Sequence, residues 1–224
     1  MKNYFPDGNV CVVNGDEFRS MHPKSEEIHR LHEELYAEIT DADVRTWTRD
    51  VLEHCIQSGY NVVFEGTMRT NAVCDTVARM NSLGYRVVAG IMAVPYHVSF
   101  ISVYLRYLNE LRNTGHGRRV SMESHDAAYQ GMPKTVKQLV EDGFCSEFVI
   151  FSRVSPDVGA SLVAVTQDPL PEIEMARAIT QGGDDLSSLN LLCTKIATEL
   201  TFLGQNKVAR SFLHRWRKMK LGIA

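Results

Sequence analysis

The chain has 224 residues, 44% of them apolar and 23% charged, enough to fill one α/β domain with a real core, with or without a helical appendage. Its net charge of −3 offers no basic footprint for nucleic acid or an anionic membrane, and its apolar runs, such as 87–95, are too short to cross a bilayer. The opening MKNYFPDGN lacks the apolar stretch of a secretory leader, and five cysteines scattered on apolar patterns, with no CxxC or HExxH spacing, predict a cytoplasmic protein with reduced thiols and no metal site.

Short β-branched runs alternate with amphipathic stretches, the pattern of a parallel sheet flanked by helices. Residues 9–13 are the first predicted strand, ending in Asn14-Gly15-Asp16. A helix over 25–39 would align Ile28, Leu31, Leu35 and Ile39 on one face, with His32 beside them as a partly buried structural histidine. A second helix over 44–57 gathers Val44, Trp47, Val51 and Cys55, and Gly59 stops it. The strand 61–64 then runs into Glu65-Gly66-Thr67, a helix covers 70–83, and 86–94 reads as a central strand closed by Pro95.

A helix over 98–111 presents Ile101, Tyr104, Leu105, Leu108 and Leu111. Gly115, Gly117, Arg118 and Arg119 break the pattern across 113–120 and predict a mobile loop. A short helix over 134–141 leads to the strand 147–151, with 162–165 as an added edge strand. Beyond a linker at 168–171 lie helices over 186–203 and 207–220 with no strand between them. The expected organisation is an α/β core over 1–167 and a helical extension over 168–224. The last helix pairs a stripe of Val208, Phe212, Trp216 and Met219 with Arg210, Arg215, Arg217, Lys218 and Lys220. Such a stripe can meet a partner or an anionic surface, but the simpler expectation is docking on the chain's own core with the charges solvated.

Ligands of open parallel sheets collect at the carboxyl ends of the strands. The first strand delivers Asp16, Arg19 and His22 in GDEFRSMHP, and the second delivers Glu65, Thr67 and Arg69 in EGTMRT. A carboxylate there can accept a hydroxyl proton, and guanidiniums can bind phosphate oxygens in bidentate fashion. Each cluster alone reads equally well as helix caps and a turn; two on successive strand ends favour a site. Arg106, Arg112, Arg118 and Arg119 flank the glycine-containing loop, where arginines can neutralise phosphate; for Arg112 and Arg119 a solvated face is expected. His125-Asp126 reads as a hydrogen-bonding pair rather than part of a metal site.

The runs VVNGDEFRSMHP and NVVFEGTMRT, followed by Arg106-Tyr107, the Arg-rich loop, His125-Asp126 and Phe151-Ser152-Arg153, resemble the zeta toxin family over residues 8–153. The resemblance implies a P-loop kinase fold and a cytoplasmic enzyme that moves the γ-phosphate of ATP, with Mg²⁺, to a hydroxyl of UDP-N-acetylglucosamine. It also implies a toxin whose protein partner is an antitoxin. By motif, Asp16 becomes the base, with Arg106 and Arg118 as a clamp on the transferring phosphate. Glu65, Thr67 and Arg69, with Arg19 and His22 nearby, would line the nucleotide-sugar site.

Two departures accompany the resemblance. No GxxxxGK[ST] loop occurs in the sequence, and residues 1–6 would align with the end of the helix that follows that loop in the family. The expectation is therefore a kinase fold lacking its first strand and P-loop within these residues. Either a longer chain is the kinase, or this one is a non-catalytic module that binds a nucleotide-sugar or an antitoxin. Arg49 stands where family members of known substrate often carry a glutamate, which leaves another small hydroxyl compound open as acceptor.

Overall fold

The computed structural model describes residues 4–179 and 183–221. Residues 1–3, half of the stretch expected to align with a helix end, lie outside that range, and 4–8 form a turn in which Gly8 N–H donates to the Phe5 carbonyl at 3.1 Å. Backbone contacts divide the chain into two compact units, Met1–Met68 and Arg69–Ala224.

The first unit begins with β1 (Cys11–Asn14) and the single-turn helix α1 (Gly15–Phe18), which runs on into a 3₁₀ turn over Arg19–Met21. Then come α2 (Ser25–His32), a second 3₁₀ turn (Glu33–Leu35), α3 (Tyr36–Ile39), α4 (Asp41–Gln57) and β2 (Val62–Glu65). The strands β1 and β2 pair in parallel, with Val13 opposite Phe64 and Asn14 opposite Glu65. Gly15 allows α1 to lie close on α4, since a Cβ there would meet Thr48 Oγ1 at 2.7 Å.

The continuous helix expected over 25–39 breaks after His32, where the backbone leaves the helical region (φ −144°, ψ 44°). The break shifts the phase of the apolar stripe, so that Ile28, Tyr36 and Thr40 are buried while Leu31, Leu35 and Ile39 are exposed. Tyr36 fixes this arrangement: its hydroxyl donates to the Arg19 carbonyl at 2.7 Å and its ring stacks on His29. His32, expected to be partly buried, is exposed for the same reason. On α4 the buried face is Val44, Leu52, Cys55 and Ile56, rotated from the expected one, and Val51 is exposed.

The second unit comprises α5 (Ala72–Ser82), β3 (Val87–Met92), α6 (Tyr96–Thr114), α7 (Met122–Asp142), β4 (Cys145–Ser152), β5 (Ser161–Thr166), α8 (Leu170–Ala178), α9 (Gly183–Phe202) and α10 (Asn206–Lys220). Its sheet has the order β3-β4-β5, with β3 and β4 parallel and β5 an antiparallel edge. Ala89 and Ile91 of β3 and Phe148, Val149 and Ile150 of β4 are buried. A hydrophobic core joins α6 to α9 and α10, with Phe100, Tyr104, Leu108, Cys193, Ile196, Leu200, Phe212 and Trp216 in one cluster. The stripe of α10 thus docks on the chain's own core, as its amphipathic pattern predicts.

The helix α7 is much longer than the expected 134–141, and Gly131 and Pro133 sit inside it. A Cβ at Gly131 would stand 2.2 Å from the Arg69 carbonyl oxygen, so glycine permits that close approach. Proline at 133 has no N–H for the Tyr129 carbonyl, and that carbonyl accepts instead from Arg177 Nη2 of α8 at 2.8 Å.

Candidate functional site

In the first unit the parallel register brings the ends of β1 and β2 side by side, and with them the two predicted carboxylates. Asn14 connects them. Its side-chain oxygen accepts from Asp16 N–H at 3.0 Å, capping α1, and its amide nitrogen donates to Glu65 Oε2 at 2.9 Å. The cap expected at this junction is present, and it belongs to the same side chain that ties down Glu65.

Arg19 is half-buried and its donors go to protein groups. Nε faces Asp16 Oδ1 at 3.3 Å, Nη1 donates to the Ala37 carbonyl at 2.8 Å and to Thr40 Oγ1 at 2.9 Å, and Nη2 faces Asp41 Oδ1 at 3.3 Å. It anchors α1 to α3 and α4 while placing positive charge beside Asp16. His22 accepts from Lys24 N–H at Nδ1 (3.1 Å), which leaves Nε2 to carry the proton toward Asp43 Oδ2 at 3.2 Å. Asp16, Glu65 and Thr67 are exposed. Arg49, also exposed, forks onto Asp50 at 3.0 Å.

In the second unit Arg69 is exposed, just after Met68, whose φ of 50° is the left-handed exception among the described non-glycine residues. Arg106 and Arg118 are brought together by Glu110, which the motif pattern did not single out. One carboxylate oxygen of Glu110 lies 3.8 Å from Arg106 Nε, and the other accepts from Arg118 N–H at 2.6 Å. The loop 115–120, expected to be mobile, packs on α6: Gly117 is buried, and a Cβ there would meet the Tyr107 ring at 2.6 Å. Arg112, expected to be solvated, pairs with Glu199 of α9, and Arg119 is half-buried.

His125 and Asp126 form the expected hydrogen-bonding pair. His125 Nδ1 meets Asp126 Oδ1 at 3.0 Å, and Nε2 meets Ser99 Oγ at 2.9 Å. Tyr96 donates to Asp126 Oδ1 at 2.7 Å, and Arg215 Nη2 of α10 reaches Asp126 Oδ2 at 2.5 Å. Arg215 was expected to be solvated with its neighbours; an ion pair between residues so far apart in sequence carries no local signature. Burial pushes the Asp126 carboxyl up, but the hydrogen bonds from Tyr96, His125 and Arg215 outweigh it and hold the group below its ordinary range.

Among the described residues no group of three or more His, Cys, Asp or Glu side chains could hold a metal ion, and no GxxxxGK[ST] loop occurs in the sequence. These residues therefore supply no such loop for the ATP and Mg²⁺ that the family resemblance implies. No helix is long and apolar enough to cross a membrane among the described residues.

Parallel strands flanked by helices, with acidic residues at the strand ends, define an α/β fold of the P-loop kinase type. A solved structure from the PezAT chromosomal toxin–antitoxin system of Streptococcus pneumoniae shares it, with a TM-score of 0.68 and 20% identity, over 90% of this chain and 78% of that one. The zeta toxin family model matches residues 1–158, and the chain belongs to that family. It is 27% identical to Toxin zeta of Enterococcus hirae over 169 residues, which is 75% of this chain and 59% of that protein. Toxin PezT of S. pneumoniae serotype 4 is 27% identical over 149 residues, 65% of this chain and 58% of its own length. The chain thus spans less than two thirds of these curated relatives.

Proposed function

We propose that the chain carries the acceptor side of a zeta-type phosphotransferase, a toxin whose partner is an antitoxin, acting on a hydroxyl of a nucleotide-sugar such as UDP-N-acetylglucosamine. The observation that carries this reading is the pair of acidic residues at neighbouring strand ends, Asp16 and Glu65, with Asn14 bonded to the backbone N–H of the first and the carboxylate of the second. Asp16, exposed and flanked by the Arg19 guanidinium, is suited to accept the hydroxyl proton. Glu65, Thr67 and Arg69 are the groups for the nucleotide-sugar, with His22 held nearby by Asp43. Arg106 and Arg118, both tethered to Glu110, supply guanidinium charge for phosphate oxygens. ATP and Mg²⁺ are the family's donor and metal, and no step through them is assigned to these residues.

A second reading is a binding module that takes the nucleotide-sugar, or an antitoxin, without catalysis. Exposed Asp16, Glu65 and Arg69, groups that can bind a polar ligand without transferring phosphate, support it. Arg49, exposed on α4, favours screening further small hydroxyl acceptors as well.

Calorimetry on the full chain separates these readings. The acceptor-side reading requires UDP-N-acetylglucosamine to bind, and to bind at least tenfold more weakly to Asp16→Asn or Glu65→Gln, about 1.4 kcal/mol, the scale of one hydrogen bond to a charged group. Mg-ATP binding by the same chain would argue against the non-catalytic module. No heat with any sugar nucleotide would refute the acceptor assignment.

A further inference from the structure

We propose that Asn14 is a positioning residue, whose amide ties the Glu65 carboxylate to the backbone turn that carries Asp16. The inference rests on the assignment of those two groups to the acceptor site. Asn14 is the last residue of β1 and stands opposite Glu65, the last residue of β2. Its two ends do different work. The oxygen accepts from Asp16 N–H at 3.0 Å, and the nitrogen donates to Glu65 Oε2 at 2.9 Å.

That orientation is the one the chemistry allows. Turning the amide over would set its oxygen against the Glu65 carboxylate and its NH₂ against a backbone N–H, opposing acceptor to acceptor and donor to donor. Few side chains could replace it. Aspartate would still cap α1 but would face Glu65 as a second negative charge. Serine would also cap, but its short hydroxyl falls away from Glu65. Glu65 is exposed, so without the Asn14 contact its side chain samples several rotamers and must be ordered by the ligand instead. With Oε2 held by Asn14, Oε1 keeps its lone pairs for an O–H or N–H donor on the acceptor molecule.

The test uses the full chain and its Asn14→Ser and Asn14→Asp variants, with Asp16→Asn and Glu65→Gln as references. UDP-N-acetylglucosamine affinity is measured by calorimetry at low and high salt, and the Glu65 χ1 rotamer by three-bond NMR couplings. In Asn14→Ser we expect the melting temperature to hold, because the cap survives, while Glu65 becomes rotamer-averaged and affinity falls about tenfold. Asn14→Asp should lose more, and high salt should restore part of that loss and none of the serine variant's, because only the former is a charge repulsion.

If Asp16→Asn and Glu65→Gln weaken binding but neither Asn14 variant does, the role of Asn14 is overturned and the acceptor site stands. If the two reference variants bind like the wild type, the site assignment itself falls. Should the wild type not bind the sugar nucleotide, the couplings still decide: a single Glu65 rotamer that is lost in Asn14→Ser supports the positioning role, and averaging already present in the wild type overturns it.

Discussion

Asp126 shows how one side chain can tie distant parts of a unit together. It takes hydrogen bonds from Tyr96 on α6, from His125 beside it on α7 and from Arg215 on α10. A single tautomer satisfies the histidine: Nδ1–H donates to Asp126, and Nε2 accepts from the Ser99 hydroxyl. Because the folded-state carboxyl is held below its ordinary value of 3.8, its stabilisation is present above that value and is lost as pH falls through the lower, folded-state one. Asp126→Asn should therefore lower stability at pH 7 by about 1–3 kcal/mol. The gap between variant and wild type should shrink under strong acid. Urea titrations at neutral and acidic pH check this, and an equal gap at both would refute the linkage.

At the scale of elements, α7 survives two residues that usually end helices because its neighbours complete it. Arg177 of α8 donates to the Tyr129 carbonyl and lies 3.6 Å over the Tyr129 ring, filling the vacancy left by Pro133. Gly131 lets the Arg69 backbone approach more closely than any Cβ would permit. Arg177→Ala should cost about 1–3 kcal/mol through the unsatisfied carbonyl. Gly131→Ala should cost about as much through overpacking, with the added consequence of moving Arg69. Denaturant melts measure both. A Gly131→Ala variant as stable as the wild type would show that the 69–71 backbone shifts freely.

Across the whole molecule, two compact units share one chain, and the second draws a core cluster from helices late in the sequence. Phe212 of α10 stacks on Phe100 at 5.4 Å and packs on Tyr104 at 4.5 Å, with Cys193 of α9 fully buried in the same cluster. Burial pushes the Cys193 thiol up to about 12 and the Cys145 thiol up to about 11, so both stay protonated and inert at neutral pH. Phe212→Ala should remove about 3–5 kcal/mol. It should also make Cys193 reactive to a thiol reagent under native conditions, whereas in the wild type Cys193 labels only on unfolding. Labelling followed by mass spectrometry reads the outcome, and a Cys193 that stays protected in the variant would show that α9 does not depend on α10.

Periodicity alone placed most strands and helices, because burial at alternating or 3.6-residue spacing is written locally. The runs ending in Asp16 and Glu65 announced a polar strand edge for the same reason. What the sequence could not decide were the contacts that close through space. The phase shift at His32 follows from where Tyr36 finds the Arg19 carbonyl, and the continuity of α7 from Arg177 reaching Tyr129. The pairings of Asn14 with Glu65 and of Arg215 with Asp126 join residues that sequence distance keeps apart. Hydrogen-bond geometry is set by the packing of whole elements, so only the tertiary structure could reveal which polar groups meet.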